Sequence, residues 1–254
     1  MGEMLSQATT NRAVALVTGS TSGIGAAIAR RLVDEGLFVI LHSGRSPEKG
    51  AALAAELGFA NYIQADLSQE AERVRLISEA VAITGRLDVL VNNAGISGLI
   101  PHDDLAAASP DIWRAQYEVN VIAPFQLVAL SEKHLRVSAQ RNGGACVINI
   151  SSHAGVRPKG GSIPYAATKA ALNHVTRLLA RTLGPEIRVN AVAPGLVDTP
   201  LTADWTEAQG LWKTQSPMKR AARPEDIVQA VTMLIRADYI TGEILLSDGG
   251  LNLT

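Results

Sequence analysis

Residues Ala13 to Thr18 form a short apolar, β-branched run that passes straight into Thr18-Gly19-Ser20-Thr21-Ser22-Gly23-Ile24-Gly25, and helical spacing follows at once in Ile24, Ile28 and Leu32. Strand, glycine turn and helix in that order constrain the fold strongly. The glycines let the backbone turn tightly and come close to a pyrophosphate, which the positive end of the following helix then stabilises. Glycines alone mark any flexible turn; the flanking strand and helix make this one a phosphate-binding candidate.

The rest of the chain repeats the pattern. Strand-like runs recur at Phe38 to His42, Asn61 to Gln64, Leu87 to Val91, Cys146 to Ile150, Arg188 to Val192 and Ile244 to Leu246, seven strands with the first. Helical spacing lies between them, as in Val74-Ile77-Val81 and Ala167-Ala171-Val175-Leu178. This βα alternation predicts an α/β chain: a single-domain Rossmann fold, a doubly wound seven-stranded parallel sheet with helices on both faces. Hydrophobic residues make up 47% and aromatics only 4%, the aliphatic composition of a sheet covered on both sides. No composition break divides the 254 residues. Residues 1 to 11 are polar and unpatterned and are expected to be a flexible arm before a domain over 12 to 254.

Charge excludes other classes. The 23 basic and 24 acidic residues are mixed along the chain for a net charge of -1, so no nucleic-acid or anionic-membrane partner is expected. No stretch approaches the ~18 apolar residues of a membrane span and no secretory leader pattern opens the chain, so a cytoplasmic location is expected. The lone Cys146 sits in a strand-like run and reads as a small core hydrophobe. His102, Asp103 and Asp104 lack the spacing of a metal motif, so no metal is expected.

Further motifs follow the glycine turn in order. They are Asp66-Leu67 after the third strand, Asn92-Asn93-Ala94-Gly95 after the fourth, Asn120 in a helix, Asn149-Ile150-Ser151-Ser152, Tyr165 with Lys169, then Pro194-Gly195 and Thr199. With the T-G-x-x-x-G-I-G spacing, residues 13 to 250 resemble the short-chain dehydrogenase/reductase family. The resemblance implies an NAD(P)-dependent oxidoreductase that interconverts an alcohol and a ketone on a small molecule, with Asn120, Ser152, Tyr165 and Lys169 as catalytic residues. It also implies cofactor contacts at Gly19, Ser20, Thr21, Ser22, Gly23, Ile24, Gly25, Ser43, Arg45, Asp66, Leu67, Asn93, Ala94 and Gly95, and at Tyr165, Lys169, Pro194, Gly195, Val197 and Thr199. Within these, Asp66 would meet the adenine, Val197 and Thr199 the nicotinamide amide, and Lys169 the nicotinamide ribose. Asn120 would place a water that relays protons to Lys169. Local roles stay open beside them: Asp66 as a helix cap, Asn92 as a turn residue, Asn120 as a helix kink and Ser152 as a loop cap.

Chemistry accounts for the central residues. Ketone reduction needs a proton delivered to oxygen as hydride reaches carbon, and alcohol oxidation the reverse. Tyr165 and Lys169 are four apart and share a helix face. A free phenol titrates near 10, so working near neutrality takes about 4 kcal/mol of preference for the phenolate. One charge about 5 Å away at an effective dielectric of about 20 supplies roughly 3 kcal/mol, which predicts that Lys169 lowers the Tyr165 pKa. Ser152 would hold the substrate oxygen. His153 beside Ser152 invites a hydrolase reading, but chain neighbours seldom converge on one centre and no acid is identifiable to orient the ring.

At the end of the second strand, His42-Ser43-Gly44-Arg45 offers no carboxylate to repel a 2'-phosphate, and Arg45 can pair with one, which favours NADP(H) over NAD(H). Ser22 stands where NADP-preferring relatives often carry a base, which argues the other way. The stretch of about 195 to 223, with Leu201, Trp205, Leu211, Trp212 and Met218, is expected to be a substrate lid. A homotetramer is implied by the resemblance, with Ala166, Ala167, Ala170 and Ala171 suited to close helix contact. Two alternatives are carried forward: a 3-oxoacyl-carrier-protein reductase-like activity, with Arg177 and Arg181 as docking charges, and a non-catalytic NAD(P)-binding regulator.

Overall fold

The computed structural model describes residues 12–142 and 144–254; the arm expected over 1 to 11 lies outside the described residues. Seven parallel strands form one sheet in the order β3-β2-β1-β4-β5-β6-β7. They are β1 (Val14–Val17), β2 (Phe38–Ser43), β3 (Ala60–Gln64), β4 (Val89–Asn92), β5 (Ala145–Ile150), β6 (Ile187–Pro194) and β7 (Ile244–Ser247). All seven expected strands are present, with ends shifted by a residue or two. The order reverses at β1, where β1 pairs with β2 on one side and β4 on the other. In open α/β sheets that switch point opens the crevice in which ligands bind.

The helices between strands are α1 (Gly23–Asp34), α2 (Pro47–Leu57), α3 (Glu70–Thr84), α4 (Pro110–Tyr117), α5 (Ala123–Asn142), α6 (Ile163–Leu183), α7 (Thr206–Gln215) and α8 (Pro224–Arg236). Strand side chains alternate between faces, which splits the core in two. Val14, Leu16, Ile40, Leu90, Val147 and Val189 meet Leu76, Leu127, Leu135 and Leu183 from α3, α5 and α6. On the other face Ala15, Val17, Val39, Val91, Ile148 and Val192 meet Ile28, Leu32, Ile227, Val231 and Leu234 from α1 and α8. Aliphatic side chains fill both layers, as the composition predicts. No described helix is long and apolar enough to cross a membrane.

Two local features differ from expectation. Asn120 lies in a π-helical turn, Glu118–Ile122, that joins α4 to α5; such wide turns inside helices often mark functional sites. The lid stretch is more structured than a loop: it contains α7, and Val197 forms a parallel bridge with Ala222 that closes its base.

Candidate active site

The carboxyl ends of β1, β2, β4, β5 and β6 open onto one cleft of about 1370 Å³, above the roughly 300–1,000 Å³ of pockets that hold one drug-sized molecule. It has room for a dinucleotide and a small substrate. Every cofactor contact and catalytic residue expected above lines it, apart from Ser20 and Asn120. Both of these are fully buried just behind the wall.

At the switch point the glycine turn is locked to its neighbours. Thr18 Oγ1 accepts from the Asn93 and Ala94 amides, each at 3.0 Å, and Asn93 Nδ2 donates to the Thr18 and Gly19 carbonyls. Asn93 therefore acts as a strut between the β1 and β4 loops. Gly19 has φ +64, and a Cβ there would lie 2.9 Å from Ala94 Cα, so only glycine serves. A Cβ on Gly25 would lie 2.3 Å from the Gly19 carbonyl oxygen, so that glycine seats α1 against the turn. The first turn of α1 carries no acidic side chain, and the Ser22 hydroxyl makes no cap. Its amides are thus left for an anion, the arrangement a pyrophosphate requires.

The ends of β2 and β3 hold a residue that sequence reasoning passed over. His42 is 2% exposed; its Nδ1 accepts from the Gly19 amide at 3.1 Å and its Nε2 lies 2.9 Å from the Ala65 carbonyl. Burial pushes the ring down to about 4, against the hydrogen bond to Ala65. Ser20 is taken up by the same residue: its amide and hydroxyl both bond the His42 backbone. Ser43 Oγ pairs with Tyr62 Oη at 2.8 Å and accepts from the Ser46 amide, which shapes the turn bearing Arg45. Arg45 is exposed at the cleft, and its charge helps lower the Asp66 carboxyl. The larger cause there is the Ser68 amide, with the Ser68 hydroxyl next; both donate to Asp66 Oδ1. Asp66 thus closes a local turn with Ser68, and the helix cap left open above is not its role, because α3 starts from Gln69 without a side-chain cap.

In the middle of the cleft, Ser152 follows β5 and Tyr165 and Lys169 occupy the first turns of α6. Ser162 caps α6 by accepting from the Tyr165 amide at 3.3 Å, with Pro164 at the helix start. The turn His153–Gly155 packs directly on this helix: a Cβ on Gly155 would sit 2.6 Å from the Lys169 carbonyl carbon. Gly155 is what lets Ser152 come near Tyr165, and Asn173 Nδ2 pins it by donating to its carbonyl at 3.0 Å. Lys169 is 4% exposed, its Nζ donates to the Ile150 carbonyl at 2.8 Å, and it lies 5.7 Å from the Tyr165 ring centre. Burial pulls this ammonium down to about 8.

Tyr165 departs from expectation. Burial pushes its phenol up, and the opposing influence is the hydrogen bond from Ser152 rather than Lys169. The expected effect of the Lys169 charge is set against the cost of burying a phenolate, and that cost dominates here. Ser152 Oγ also accepts from the Ala154 amide at 3.2 Å, so its capping and site-facing roles coexist. Asn120 lies behind Gly95: its Nδ2 donates to the Ile96 carbonyl and Thr168 Oγ1, and its Oδ1 accepts from the Ile96 amide. A Cβ on Gly95 would fall 3.1 Å from Asn120 Oδ1 and 3.5 Å from Lys169 Nζ.

An acid does stand beside His153, contrary to the sequence reading: Asp248 Oδ2 is 3.5 Å from its Nε2. No relay follows. Nε2 makes no hydrogen bond, the Asp248 oxygens accept from the Gly250 and Asn252 amides, and Ser152 turns to Ala154 and Tyr165. At the far end Leu201, Trp205, Leu211 and Trp212 line the cleft, Trp212 edge-on to His153 with ring centres 6.1 Å apart. Met218, expected with them, lies outside the lining, where it packs toward Gly249.

Known proteins with this arrangement converge on one class. Residues 19–252 match the family profile described as enoyl-(acyl carrier protein) reductase. The protein named ketoacyl reductase 2 of the granaticin polyketide synthase of Streptomyces violaceoruber is 49% identical, with 94% of this chain and 96% of that protein covered. A short-chain dehydrogenase/reductase structure from Burkholderia xenovorans superposes with TM-score 0.90 at 33% identity over 96% of this chain and 99% of that one. The 3-ketoacyl-(acyl-carrier-protein) reductase of Brucella melitensis, complexed with NADH, gives 0.87 at 30% identity over 96% and 99%. The chain belongs to the short-chain dehydrogenase/reductase family. It is an NAD(P)-dependent oxidoreductase acting on CH–OH groups, interconverting an alcohol and a ketone.

Proposed function

We propose that Tyr165 is the general acid and base of this reaction, with Ser152 holding the substrate oxygen and Lys169 fixing the nicotinamide ribose. The observation that carries the reading is the cluster of Ser152, Tyr165 and Lys169 midway along the cleft, between the glycine turn and the two lid tryptophans. The dinucleotide, when bound, supplies or accepts the hydride. Tyr165 gives its Oη proton to the carbonyl oxygen, and Ser152 donates a hydrogen bond to the same oxygen as charge develops. Asn120, through its bonds to Ile96 and Thr168, holds the floor near Lys169 where a proton-relaying water would sit. Val197 and Thr199 are assigned to the nicotinamide amide and Asp66 to the adenine.

NADP(H) is the preferred cofactor in this reading because the end of β2 carries no carboxylate to repel a 2'-phosphate and Arg45 is exposed there to pair with one. The enzyme is assigned to the cytoplasm, as a homotetramer with exposed Ile122, Phe125 and Leu178 in its contacts; light scattering should then return four copies of the 26.8 kDa chain. A second reading narrows the substrate to a ketoacyl thioester, and the 49% identical polyketide-synthase relative favours it. A spectrophotometric screen of NADPH and NADH oxidation over ketones, quinones and ketoacyl thioesters tests both. Tyr165→Phe should lose about 10³-fold in kcat, within the usual range for a general acid, while still binding cofactor. Full turnover in that variant rules out the assignment.

A further inference from the structure

The His42 ring joins three cofactor-side loops, and neither of its nitrogens is free. The Gly19 amide can only donate and the Ala65 carbonyl can only accept, so the bonds at 3.1 and 2.9 Å specify one state: neutral imidazole with the proton on Nε2. The Gly19 peptide is thereby held from both sides, its amide by His42 and its carbonyl by Asn93 Nδ2 at 3.0 Å. The His42 backbone is tied to Ser20, the next residue of the turn, through the Ser20 amide at 2.9 Å and the Ser20 hydroxyl. Ala65, the other anchor, immediately precedes Asp66. The ring thus spans from the phosphate-binding turn to the strand end assigned to adenine, across the β2 end that carries Arg45.

We propose that His42 is a positioning residue for the dinucleotide: through the acceptor at Nδ1 it registers the phosphate-binding turn against the ends of β2 and β3, so that the pyrophosphate and adenosine contacts form as one unit. This rests on the dinucleotide-binding reading above. Because the Gly19 amide is spent on His42, the amides left for pyrophosphate are those at the start of α1, and their placement depends on the turn that the ring holds. Without the Nδ1 acceptor a part-buried amide loses its partner, and the turn must shift to find water.

The test uses the full chain, with NADPH and NADH as probes titrated separately, and thermal unfolding of each variant in parallel. His42→Asn keeps an acceptor near the Nδ1 position; His42→Gln reaches toward Ala65 without one; His42→Leu removes both. The expected result is wild-type binding of at least one probe, His42→Asn within about threefold of it, and His42→Gln and His42→Leu weaker by about tenfold, the scale of one part-buried unpaired amide. KM for the cofactor should rise by the same factor while kcat at saturating cofactor is kept. If His42→Leu does not fold, the Asn and Gln pair still decides. Equal affinity in all variants, or His42→Asn as weak as His42→Leu, overturns the proposal, the latter by showing that the ring only fills space. Wild type binding neither probe would overturn the dinucleotide reading itself, a distinct failure.

Discussion

The two ends of the cleft are built differently. At the end proposed for the nucleotide, Thr18, Ser20, His42 and Asn93 lace three loops together through side-chain to backbone hydrogen bonds, and the groups that do so are mostly buried. At the end proposed for the substrate the wall is α7, in which no residue is fully buried, held by Trp212 against Gly195 and His153. A dinucleotide is the same molecule in every turnover and suits a preset socket. A substrate must enter and leave, and a helix resting on a few contacts can move at less cost.

Perturbations should separate the two ends. Where they join, Gly155→Ala places a methyl against the α6 backbone at Lys169, and moving Ser152 from Tyr165 by about 1 Å should cost about 10²-fold in kcat, with a much smaller change in cofactor affinity as the check. In the nucleotide end, acid should act through His42. The unfolded ring takes its proton at the ordinary 6.5 and the folded ring only at about 4, so between those values the unfolded state holds the extra proton. Stability should therefore be complete above pH 6.5, fall as pH drops toward 4 by roughly 3 kcal/mol from this group, and fall less in His42→Asn; denaturant midpoints across that window measure it. Arg45→Ala should weaken NADPH about tenfold and NADH much less, since only NADPH carries the 2'-phosphate that the guanidinium would pair with; equal losses for both would remove the NADP assignment. The smallest effect is expected at the substrate end, where Trp212→Ala should raise KM for the ketone by about fivefold, the loss of part of one aromatic contact, with cofactor binding intact. A matching loss of cofactor affinity would show that the ends are not separable.

The strands and the glycine turn were legible because their signals are local. Alternating aliphatic runs mark strands within five or six residues, and Gly19, Gly23 and Gly25 lie within one turn of chain. Tyr165 and Lys169 were legible for the same reason, one helical turn apart. The direction in which the Tyr165 phenol shifts was not, since it depends on how deeply the folded chain buries it. Nor was the approach of Asp248 to His153, nor the union of His42 with Gly19 and Ala65: these partners lie on different strands and meet only when the sheet assembles. Gly155 looked like any turn glycine until α6 lay against it.

Sequence alone thus determined the βα order, the strand count, the glycine turn between β1 and α1 and the spacing of Tyr165 and Lys169, because each depends on neighbours along the chain. Tertiary structure decided which groups are spent on holding the site and which remain for ligands: Ser20 and Asn120 behind the wall, Asn93 and His42 as struts, Ser152 and Tyr165 facing the cleft. Hydrogen-bond satisfaction and burial depend on distances through space, and those exist only once the sheet has brought its loops together at one edge.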